Sequence, residues 1–388
     1  MARTLKSDKW LLWATVLLLG VSLVMVYSAS AVFAQEKFDS QNKFLIKQAA
    51  YICAGLLLLA VAMRVDYHVY RRPAVIWSAL AVVVVLLFAV FGFDKINNAR
   101  RWISFPGITL QPSEFAKLAA IFFAAALLER RMHRINEPMY ALLPIGIVTG
   151  ALTGLIVLQP DFGTSAALSG VVLVMVFAAG LSFRHMAVVV GVLLPVAGAV
   201  VVMEQYRVRR LMSFLDPESD PTGDSFQLLQ SIIAIGSGGP FGRGFMHGVQ
   251  KLFYIPEAHT DFIYAIIGEE LGLIGTTAVL ICFCVIAVRG IRAAMFAPDR
   301  LGALLATGLT AMIAVQAFVN ISVVLGLAPT KGIPLPFVSN GGSSMIANLI
   351  AMGILLNITQ HATAVDPGGR AQRTAHTAVL SQPARAEA

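Results

Sequence analysis

Apolar runs long enough to cross a lipid bilayer recur along the whole of this 388-residue chain. A transmembrane helix needs about 20 consecutive, mainly apolar residues. Only 13% of the residues are charged, against roughly 25% in soluble domains. The sequence therefore predicts an all-α polytopic membrane protein with about ten transmembrane helices. The predicted spans cover residues 10–34, 44–63, 73–92, 112–129, 139–158, 164–181, 186–203, 262–288, 301–325 and 342–361.

Both ends of the chain are predicted to lie in the cytoplasm. An even number of spans puts the ends on one side, and Lys and Arg are more frequent in the intervals on that side. Residues 1–9 then form a cytoplasmic N-terminus, and residues 10–361 form the transmembrane domain. The first apolar run is longer than the h-region of a signal peptide, so we interpret it as a retained helix. Residues 362–388 are small and polar, which predicts a disordered cytoplasmic tail.

The cations and cysteines argue against several classes of function. The formal net charge is +8, but Lys and Arg are scattered between the spans, so we expect anionic lipid as a partner and no nucleic acid. Cys53, Cys282 and Cys284 all lie in apolar runs, which predicts buried thiols rather than a disulfide framework or a zinc site.

The interval 204–261, between spans seven and eight, is predicted to be a large, ordered and functional extracytoplasmic loop, because it is too long for a simple turn. Within it, Asp224 or Ser225 could cap a short helix that ends at the glycines from Gly236 onwards. The stretch GSGGPFGRG lacks the spacing of a phosphate-binding P-loop, so we interpret it as a tight, glycine-shaped loop.

Charged residues in the predicted fourth span need a partner, because an ionised side chain in a membrane costs several kcal/mol when it is unpaired. Glu114 and Lys117 are three residues apart and can pair on one helix. The pair could hold the helix in register or form a ligand site. Arg100, Arg101 and Trp102 just upstream favour a site for an anionic, partly apolar headgroup, and they could also be an interfacial anchor.

Carboxylates also occur in two turns at the outer ends of spans. Asp161 lies in the short turn QPDFGT, where ordinary turn chemistry explains an Asp before a Gly equally well. Glu257, His259 and Asp261 cluster at the mouth of span eight. His259 and Asp261 make at most a partial metal site, and Thr260 or Asp261 could simply start the helix.

The segment 329–344, PTKGIPLPFVSNGGSS, contains three prolines and three glycines. So many prolines and glycines prevent a continuous helix, and non-helical backbone at membrane depth must line a cavity or be covered by protein. We therefore expect Lys331, Ser339, Ser343 and Ser344 to border a polar cavity.

Five motifs follow one another along the chain: RRWISFPGITLQPSEFAKL, LQPDFGTS, FQLLQSIIAIGSGGPFGRG, PEAHTDFIYAIIGEELG and PTKGIPLPFVSNGGSS. Together they resemble the SEDS family, the FtsW/RodA membrane glycosyltransferases that polymerise bacterial peptidoglycan. The resemblance covers residues 10–361. PTKG at 329–332 is more similar to FtsW, the division member, than to RodA. Asn340 departs from the family, which usually has Tyr there.

The resemblance implies that the substrate is lipid II and that Asp261 matches the family's essential aspartate. Because a sugar hydroxyl is a weak acid, a nearby carboxylate must take its proton as the new bond forms. Asp261 is therefore the candidate general base of an inverting glycosyl transfer. Arg101 and Lys117 are the candidate cations for the leaving pyrophosphate, with Glu114 orienting Lys117. A divalent cation, Mg²⁺ or Mn²⁺, could assist.

Two other functions remain open, a lipid II flippase and a noncatalytic scaffold for division proteins. A transporter needs polar groups across the membrane, whereas those predicted here lie in the outer half, which favours the enzyme. The resemblance also implies a class B penicillin-binding protein and other division proteins as partners, in the bacterial inner membrane, with the active site facing outward. The candidate substrate-binding residues are Arg101, Glu114, Lys117, Asp161, Gln227, Gln250, Lys251, His259, Thr260, Ser343 and Ser344.

Overall fold

Helices form most of the described structure. The computed structural model describes residues 7–95, 99–105, 108–218, 223, 225–252, 254–255 and 258–361. The predicted disordered tail at 362–388, the possible cap Asp224 and the carboxylate Glu257 lie outside the described residues. The regular elements are α1 (Lys9–Phe38), α2 (Lys43–Arg64), α3 (Pro73–Ala89), β1 (Ile103–Phe105), β2 (Ile108–Leu110), α4 (Pro112–Arg131), α5 (Leu143–Leu158), α6 (Phe162–Ala178), α7 (Phe183–Val202), α8 (Gln205–Leu215), α9 (Phe226–Gly238), α10 (Ile263–Met295), α11 (Arg300–Val324) and α12 (Gly342–His361), with 3₁₀ turns at Tyr67–Arg71, Val90–Gly92 and Met132–Arg134 and a π turn at Pro138–Leu142 before α5.

The predicted polytopic helical fold is confirmed, since helices occupy each of the ten predicted spans in the described residues. Eight of these helices are long and apolar enough to cross a membrane. The other two are α4, which carries Glu114 and Lys117 inside the bundle, and α6, which is 17 residues long.

The starts of several helices follow directly from the sequence. Pro73 and Pro112 are the first residues of α3 and α4, where a missing N–H costs nothing. Asp8, Asp161 and Asp299 each accept hydrogen bonds from free N–H groups in the first turn of α1, α6 and α11. Such caps satisfy donors that the helix itself leaves unpaired.

Two elements were absent from the predicted architecture. The hairpin of β1 and β2 is only three residues per strand, and α8 is an 11-residue helix with arginines along it. Neither has the long apolar run from which spans are predicted. The predicted helix in the large loop is present as α9, but it begins after Ser225 without a bond from that side chain, and Gly236 lies within it.

The two described ends of the chain lie on one face of the bundle. The backbone N–H of Asp8 donates to Thr359 Oγ1 over 3.3 Å, and the Asp8 carboxylate pairs with Arg289 near the end of α10. The first residues of α2, α10 and α12 therefore lie at the opposite face. That face carries the cavity described below.

Helix α10 is interrupted at Gly272, which the sequence did not predict. Gly272 has φ +65°, a backbone conformation that residues with a Cβ rarely adopt. The glycine loop after α9 fits into this break, because Leu273 N donates to Gly239 O over 2.9 Å and a Cβ on Gly272 would overlap the backbone of Gly242. The break thus joins the start of α10 to the large loop.

Replacing Gly272 by Ala should destabilise the protein by about 2 kcal/mol or more, since the new Cβ meets both a positive φ and the Gly242 backbone. Thermal denaturation in detergent measures the change. The matched control is Gly154→Ala in α5, where nothing lies within 4 Å of an added Cβ. The control should be neutral or slightly stabilising. Equal effects of the two changes would contradict this account of the break.

Candidate functional site

A cavity of about 850 Å³ opens at the face opposite the chain ends. It is bounded by the start of α2, the segment around the β hairpin, α8, α9, the turn before α10 and the loop between α11 and α12. The lining residues are Phe44, Lys47, Tyr51, Ala99, Arg101, Trp102, Thr109, Gln111, Pro160, Glu204, Tyr206, Arg210, Gln227, His259, Thr260, Asp261, Phe262, Thr330, Lys331, Gly332, Pro334, Asn340, Gly341, Gly342, Ser343 and Ser344.

Positive charge predominates in the described lining of the cavity. The lining contains four cations, Lys47, Arg101, Arg210 and Lys331, and two carboxylates, Glu204 and Asp261. The Lys331 ammonium lies 5.1 Å from the centre of the Phe162 ring, and burial lowers the pKa of Lys331 below its usual value. Clustered cations in a partly desolvated cavity are suited to bind an anion such as a phosphate ester.

Both arginines of the described lining are held by backbone carbonyls. Arg101 donates to the carbonyls of Gln159 and Pro160, in the turn before α6. Arg210 donates to Thr330 O over 3.4 Å, which ties α8 to the loop after α11. Their guanidinium groups are therefore fixed relative to the cavity wall rather than extended into solvent.

Asp261 lies in the turn that leads into α10, and the backbone of this turn is fixed at three consecutive carbonyls. His259 O accepts from Asn340 N at 3.0 Å, and Thr260 O accepts from Ser339 Oγ at 2.6 Å. The carbonyl of Asp261 itself accepts from the Asn320 amide at 2.7 Å. The loop after α11 and a side chain of α11 thus set the position of Asp261.

The carboxylate of Asp261 and the guanidinium of Arg101 converge on Gly332. A Cβ at Gly332 would lie 3.0 Å from Asp261 Oδ2 and 4.0 Å from Arg101 Nη1. A carboxylate and a guanidinium therefore lie close together beside Gly332. Because Gly332 has no side chain, this space is open to a substrate.

Glu114 and Lys117 lie behind the cavity wall rather than in it. Lys117 Nζ is 2.9 Å from Glu114 Oε2 and 2.8 Å from Gln316 Oε1, and both charged side chains are buried. Gln316 Nε2 in turn lies 3.5 Å from Ser344 Oγ, which lines the cavity. The ion pair therefore connects to the cavity through one amide.

Asp161 and Ser343 hold segments of the wall. Asp161 caps α6 by accepting from Thr164 N at 3.1 Å, and its second oxygen accepts from Gln111 Nε2 at 3.2 Å. Ser343 Oγ accepts from Gln111 N at 2.8 Å and donates to Thr109 O at 3.2 Å. Of these two predicted site residues, Ser343 lines the cavity and Asp161 does not.

Gln250 and Lys251 lie away from the cavity. Lys251 Nζ is 2.6 Å from Glu270 Oε1 and 2.9 Å from Ser28 Oγ, and all three side chains are buried. The backbone N–H of Gln250 donates to Glu269 at 3.1 Å. The side chains of Glu269 and Glu270 thus each bind a residue of the large loop and attach it to α10.

The remaining candidate substrate-binding residues face the cavity, whereas Ser339, which was also expected at its border, is buried and does not line it. Gln227 reaches it from α9, and Thr260 and Ser344 border it. His259 packs against Phe44, with ring centroids 4.7 Å apart. Asn340 also lines the cavity.

The described residues contain no group of three or more His, Cys, Asp or Glu side chains that could hold a metal ion. Mg²⁺ commonly binds through one or two carboxylates together with substrate phosphates. Asp261 is a cavity carboxylate that could supply one such ligand. A divalent cation would then depend on the substrate for its other ligands.

Several lining residues went unpredicted from the sequence. Lys47, Tyr51, Glu204, Tyr206 and Arg210 contribute to the cavity from α2 and α8. A signal was present for Arg210, since Arg207 and Arg210 in QYRVRRLM are three residues apart and would share one face of a helix. Lys47, near the start of the second predicted span, has the sequence context of an ordinary interfacial lysine.

Comparison with known proteins identifies the family. The family model for FtsW, RodA and SpoVE, described as cell cycle protein, matches residues 9–364. The chain belongs to this family. A probable peptidoglycan glycosyltransferase FtsW of Trichlorobacter lovleyi is 43% identical over 360 residues, which cover 92% of this chain and 94% of that protein. Stage V sporulation protein E of Bacillus subtilis is 42% identical over 362 residues, 91% of this chain and 97% of that protein.

Solved structures share the fold. A chain from work on the structural coordination of polymerization and crosslinking by a peptidoglycan synthase complex superposes with a TM-score of 0.75 at 30% identity, and covers 92% of this chain and 98% of that one. The crystal structure of the rod shape determining protein RodA of Thermus thermophilus superposes with a TM-score of 0.67 at 26% identity, and covers 92% of this chain and 97% of that one. The resemblance predicted from the motifs is confirmed.

Replacing Lys251 by Met should destabilise the protein by about 3–5 kcal/mol, because the buried Glu270 carboxylate loses its cation. Thermal denaturation in detergent measures the loss. The double variant Lys251→Met, Glu270→Gln leaves no unpaired charge and should recover much of the stability. Wild-type stability of Lys251→Met combined with lost substrate affinity would instead favour the predicted substrate-binding role.

Proposed function

We propose that this chain is a peptidoglycan glycosyltransferase that polymerises lipid II into glycan strands during cell division. The observation that carries the proposal is the carboxylate of Asp261 in the lining of a cavity that also contains four described cations. Family membership and the name of the Trichlorobacter lovleyi relative, a probable peptidoglycan glycosyltransferase, support it.

In the proposed reaction, Asp261 takes the proton of the acceptor's GlcNAc 4-hydroxyl. The hydroxyl oxygen attacks the anomeric carbon of the lipid-linked donor on the face opposite the pyrophosphate. The bond from the anomeric carbon to the pyrophosphate oxygen breaks, and the polyprenyl pyrophosphate leaves with the bonding electrons. Inversion at that carbon gives a β-1,4 linkage. The proton transfer is worth about 10²–10⁴ in rate when the carboxylate is well positioned.

The leaving pyrophosphate gains negative charge, which fixed cations stabilise more strongly in a partly dry cavity than water does. Arg101 is the first candidate, because its Nη1 and Asp261 Oδ2 both lie within 4.0 Å of a Cβ placed on Gly332. Lys47, Arg210 and Lys331 line the same cavity. A guanidinium can engage a phosphate with two parallel hydrogen bonds, whereas an ammonium acts as a point charge.

Lys117 acts from behind the wall in this proposal. Its ammonium is bound to Glu114 and Gln316, so it contributes through its electric field and through the Gln316 amide rather than by direct contact. Glu114 orients Lys117, because its Oε2 lies 2.9 Å from the ammonium and fixes its position.

A flippase is the alternative from another class. Transport requires polar groups along the whole path through the bundle. Among the described residues, the charged groups of the site cluster at the face of the cavity, and the middle of α12 from Leu349 to Leu356 is apolar and, apart from Ile350, buried. This distribution favours chemistry at one face. A noncatalytic scaffold would need no cation-lined cavity.

The proposal also covers location and partners. We propose that the chain lies in the bacterial inner membrane with both ends in the cytoplasm, so that the cavity faces outward. Its partner is a class B penicillin-binding protein, whose transpeptidase crosslinks the new glycan, and further division proteins assemble with it. The solved chain from a peptidoglycan synthase complex, which has a TM-score of 0.75, supports an arrangement in which different members of a complex polymerise and crosslink the glycan.

Replacing Asp261 by Asn should lower polymerisation at least about 100-fold, because the amide cannot accept the hydroxyl proton. The measurement is glycan polymer formed from labelled lipid II by the purified protein with its partner in detergent. Asp39→Asn is the matched control, since Asp39 is an exposed carboxylate at the end of α1 outside the cavity. The control should polymerise at the wild-type rate.

Unchanged polymer from Asp261→Asn would exclude this residue as the base. A wild-type protein that makes no polymer, but moves the lipid II headgroup across vesicle membranes, would establish the flippase instead.

Lys331→Arg should extend activity to higher pH. Burial lowers the pKa of Lys331, so its charge is present below that pKa and is lost as the pH rises through it, earlier than for an exposed lysine. An arginine remains charged, so the alkaline fall of kcat/KM should move upward. The exposed Lys43→Arg serves as control. A profile that is identical in Lys331→Arg and wild type would show that this ammonium does not contribute.

A further inference from the structure

Two buried amides on α11 hold the loop that forms one wall of the cavity. Gln316 and Asn320 are four residues apart and therefore lie one above the other on the same face of the helix. Both side chains are buried. Gln316 Nε2 donates to Pro334 O over 3.1 Å, and Asn320 Nδ2 donates to Ile333 O over 2.7 Å. Consecutive carbonyls of the loop are thus held by successive turns of one helix.

Each amide also bonds a residue of the proposed reaction: Asn320 bonds the proposed base, and Gln316 bonds the buried cation. Asn320 Nδ2 donates to the carbonyl of Asp261 over 2.7 Å. Gln316 Oε1 accepts from Lys117 Nζ at 2.8 Å. The loop at 333–334, the proposed base and the buried cation therefore share one support on α11.

We propose that Gln316 and Asn320, here termed the amide bracket, are positioning residues for the glycosyl transfer. Asn320 fixes the backbone of Asp261 relative to the loop that carries Lys331 and Gly332. Gln316 fixes the Lys117 ammonium relative to the same loop. The inference rests on the proposed function, because Asp261 is the base of that reaction.

The chemistry of an amide explains why this residue type is needed at position 320. Its nitrogen has two hydrogens, and both are committed, one to Asp261 O and one to Ile333 O. A flipped amide would point its oxygen at two carbonyl oxygens, which repel it. No described donor reaches Asn320 Oδ1, so the side chain bears the cost of a buried unpaired acceptor. An apolar residue would avoid that cost but would leave two carbonyls unpaired.

The position of Asp261 matters because proton transfer and attack depend steeply on geometry. A displacement of about 1 Å can cost about 100-fold in rate. The Asp261 side chain extends toward Gly332, while the Asp261 carbonyl and the loop around Gly332 are tied to the same amide nitrogen. The bracket therefore sets the width of the cavity at the point where base and cation converge.

Asn320→Leu tests the bracket, because leucine has a similar size and no donors. We expect kcat for lipid II polymerisation to fall about 10- to 100-fold, with KM within about twofold of wild type, since the cavity cations remain. We also expect backbone amides at 333–340 to exchange hydrogen at least about fivefold faster, as expected for a segment that has lost a hydrogen bond. Hydrogen exchange with mass spectrometry measures this without activity. If the leucine variant fails to fold, Asn320→Asp replaces it in the test. Aspartate has the same shape, loses both donors when it is ionised, and should give the same result.

Asn357→Leu on α12 is the matched control. Asn357 is also buried, donates to Met63 O over 2.8 Å and accepts from Tyr67 N at 3.1 Å, but it lies at the other end of the bundle. This variant should lose thermal stability in the same way. Its kcat per folded molecule and the exchange of residues 333–340 should match wild type.

The Gln316 arm is tested by Gln316→Met alone and together with Asn320→Leu. Gln316→Met should also lower kcat and speed exchange at 333–340. The double variant should lose less activity than the product of the two single losses, because both amides act on the same segment. If the loss of kcat in the double variant equals the product of the two single losses, the two amides do not share one support.

The bracket and the proposed function fail in different ways. If Asp261→Asn is inactive while Asn320→Leu keeps wild-type kcat and wild-type exchange, the bracket is wrong and the proposed function stands. If the wild-type protein makes no polymer, the proposed function is wrong. The exchange of residues 333–340 in Asn320→Leu and Asn357→Leu still decides whether Asn320 holds the loop.

Discussion

Backbone carbonyls in two broken segments must find donors inside a helical bundle, and the rest of the site depends on how they do so. The turn at 259–261 and the loop at 333–339 have no helical partners for these groups. An unpaired backbone group at membrane depth costs several kcal/mol. Side chains from α1, α2 and α11 supply donors: Ser22 to Val338 O, Gln48 to Ser339 O and Asn320 to Asp261 O. Irregular backbone is therefore stable here because buried amides and hydroxyls satisfy it.

The same constraint separates charges with structural partners from charges that face the cavity. Lys251 is deeply buried and must be neutralised, which Glu270 does directly. Lys117 is equally buried and pairs with Glu114. The described hydrogen bonds of Arg101 and Arg210 go only to carbonyl oxygens, so no bonded carboxylate offsets their charge at the cavity wall. Cations without a bonded carboxylate are those available to an anionic substrate.

Much of the fold follows from the length of the apolar runs, because a membrane span needs little more information than that. The hairpin and α8 are short and polar, and their positions depend on contacts with distant segments. Site membership divides in the same way. Asp261 and Lys251 lie in one predicted loop, yet Lys251 contacts Ser28 on α1 and Asp261 contacts Asn320 on α11. Sequence distance within a loop cannot separate these two environments. Gln316 and Asn320 were not predicted, because a Gln or Asn in an apolar helix gives no indication of what it bonds.

Asn340 shows which part of the site tolerates a change of side chain. The motif resemblance has Tyr at this position, yet the bond that matters for Asp261's turn is made by the Asn340 backbone N–H to His259 O. Any residue other than proline supplies that donor. Ser339, one residue earlier, bonds Thr260 O through its side chain, so its hydroxyl is required. The departure at Asn340 therefore changes the shape and polarity of the cavity wall, which this residue lines, and leaves the anchoring of Asp261 intact.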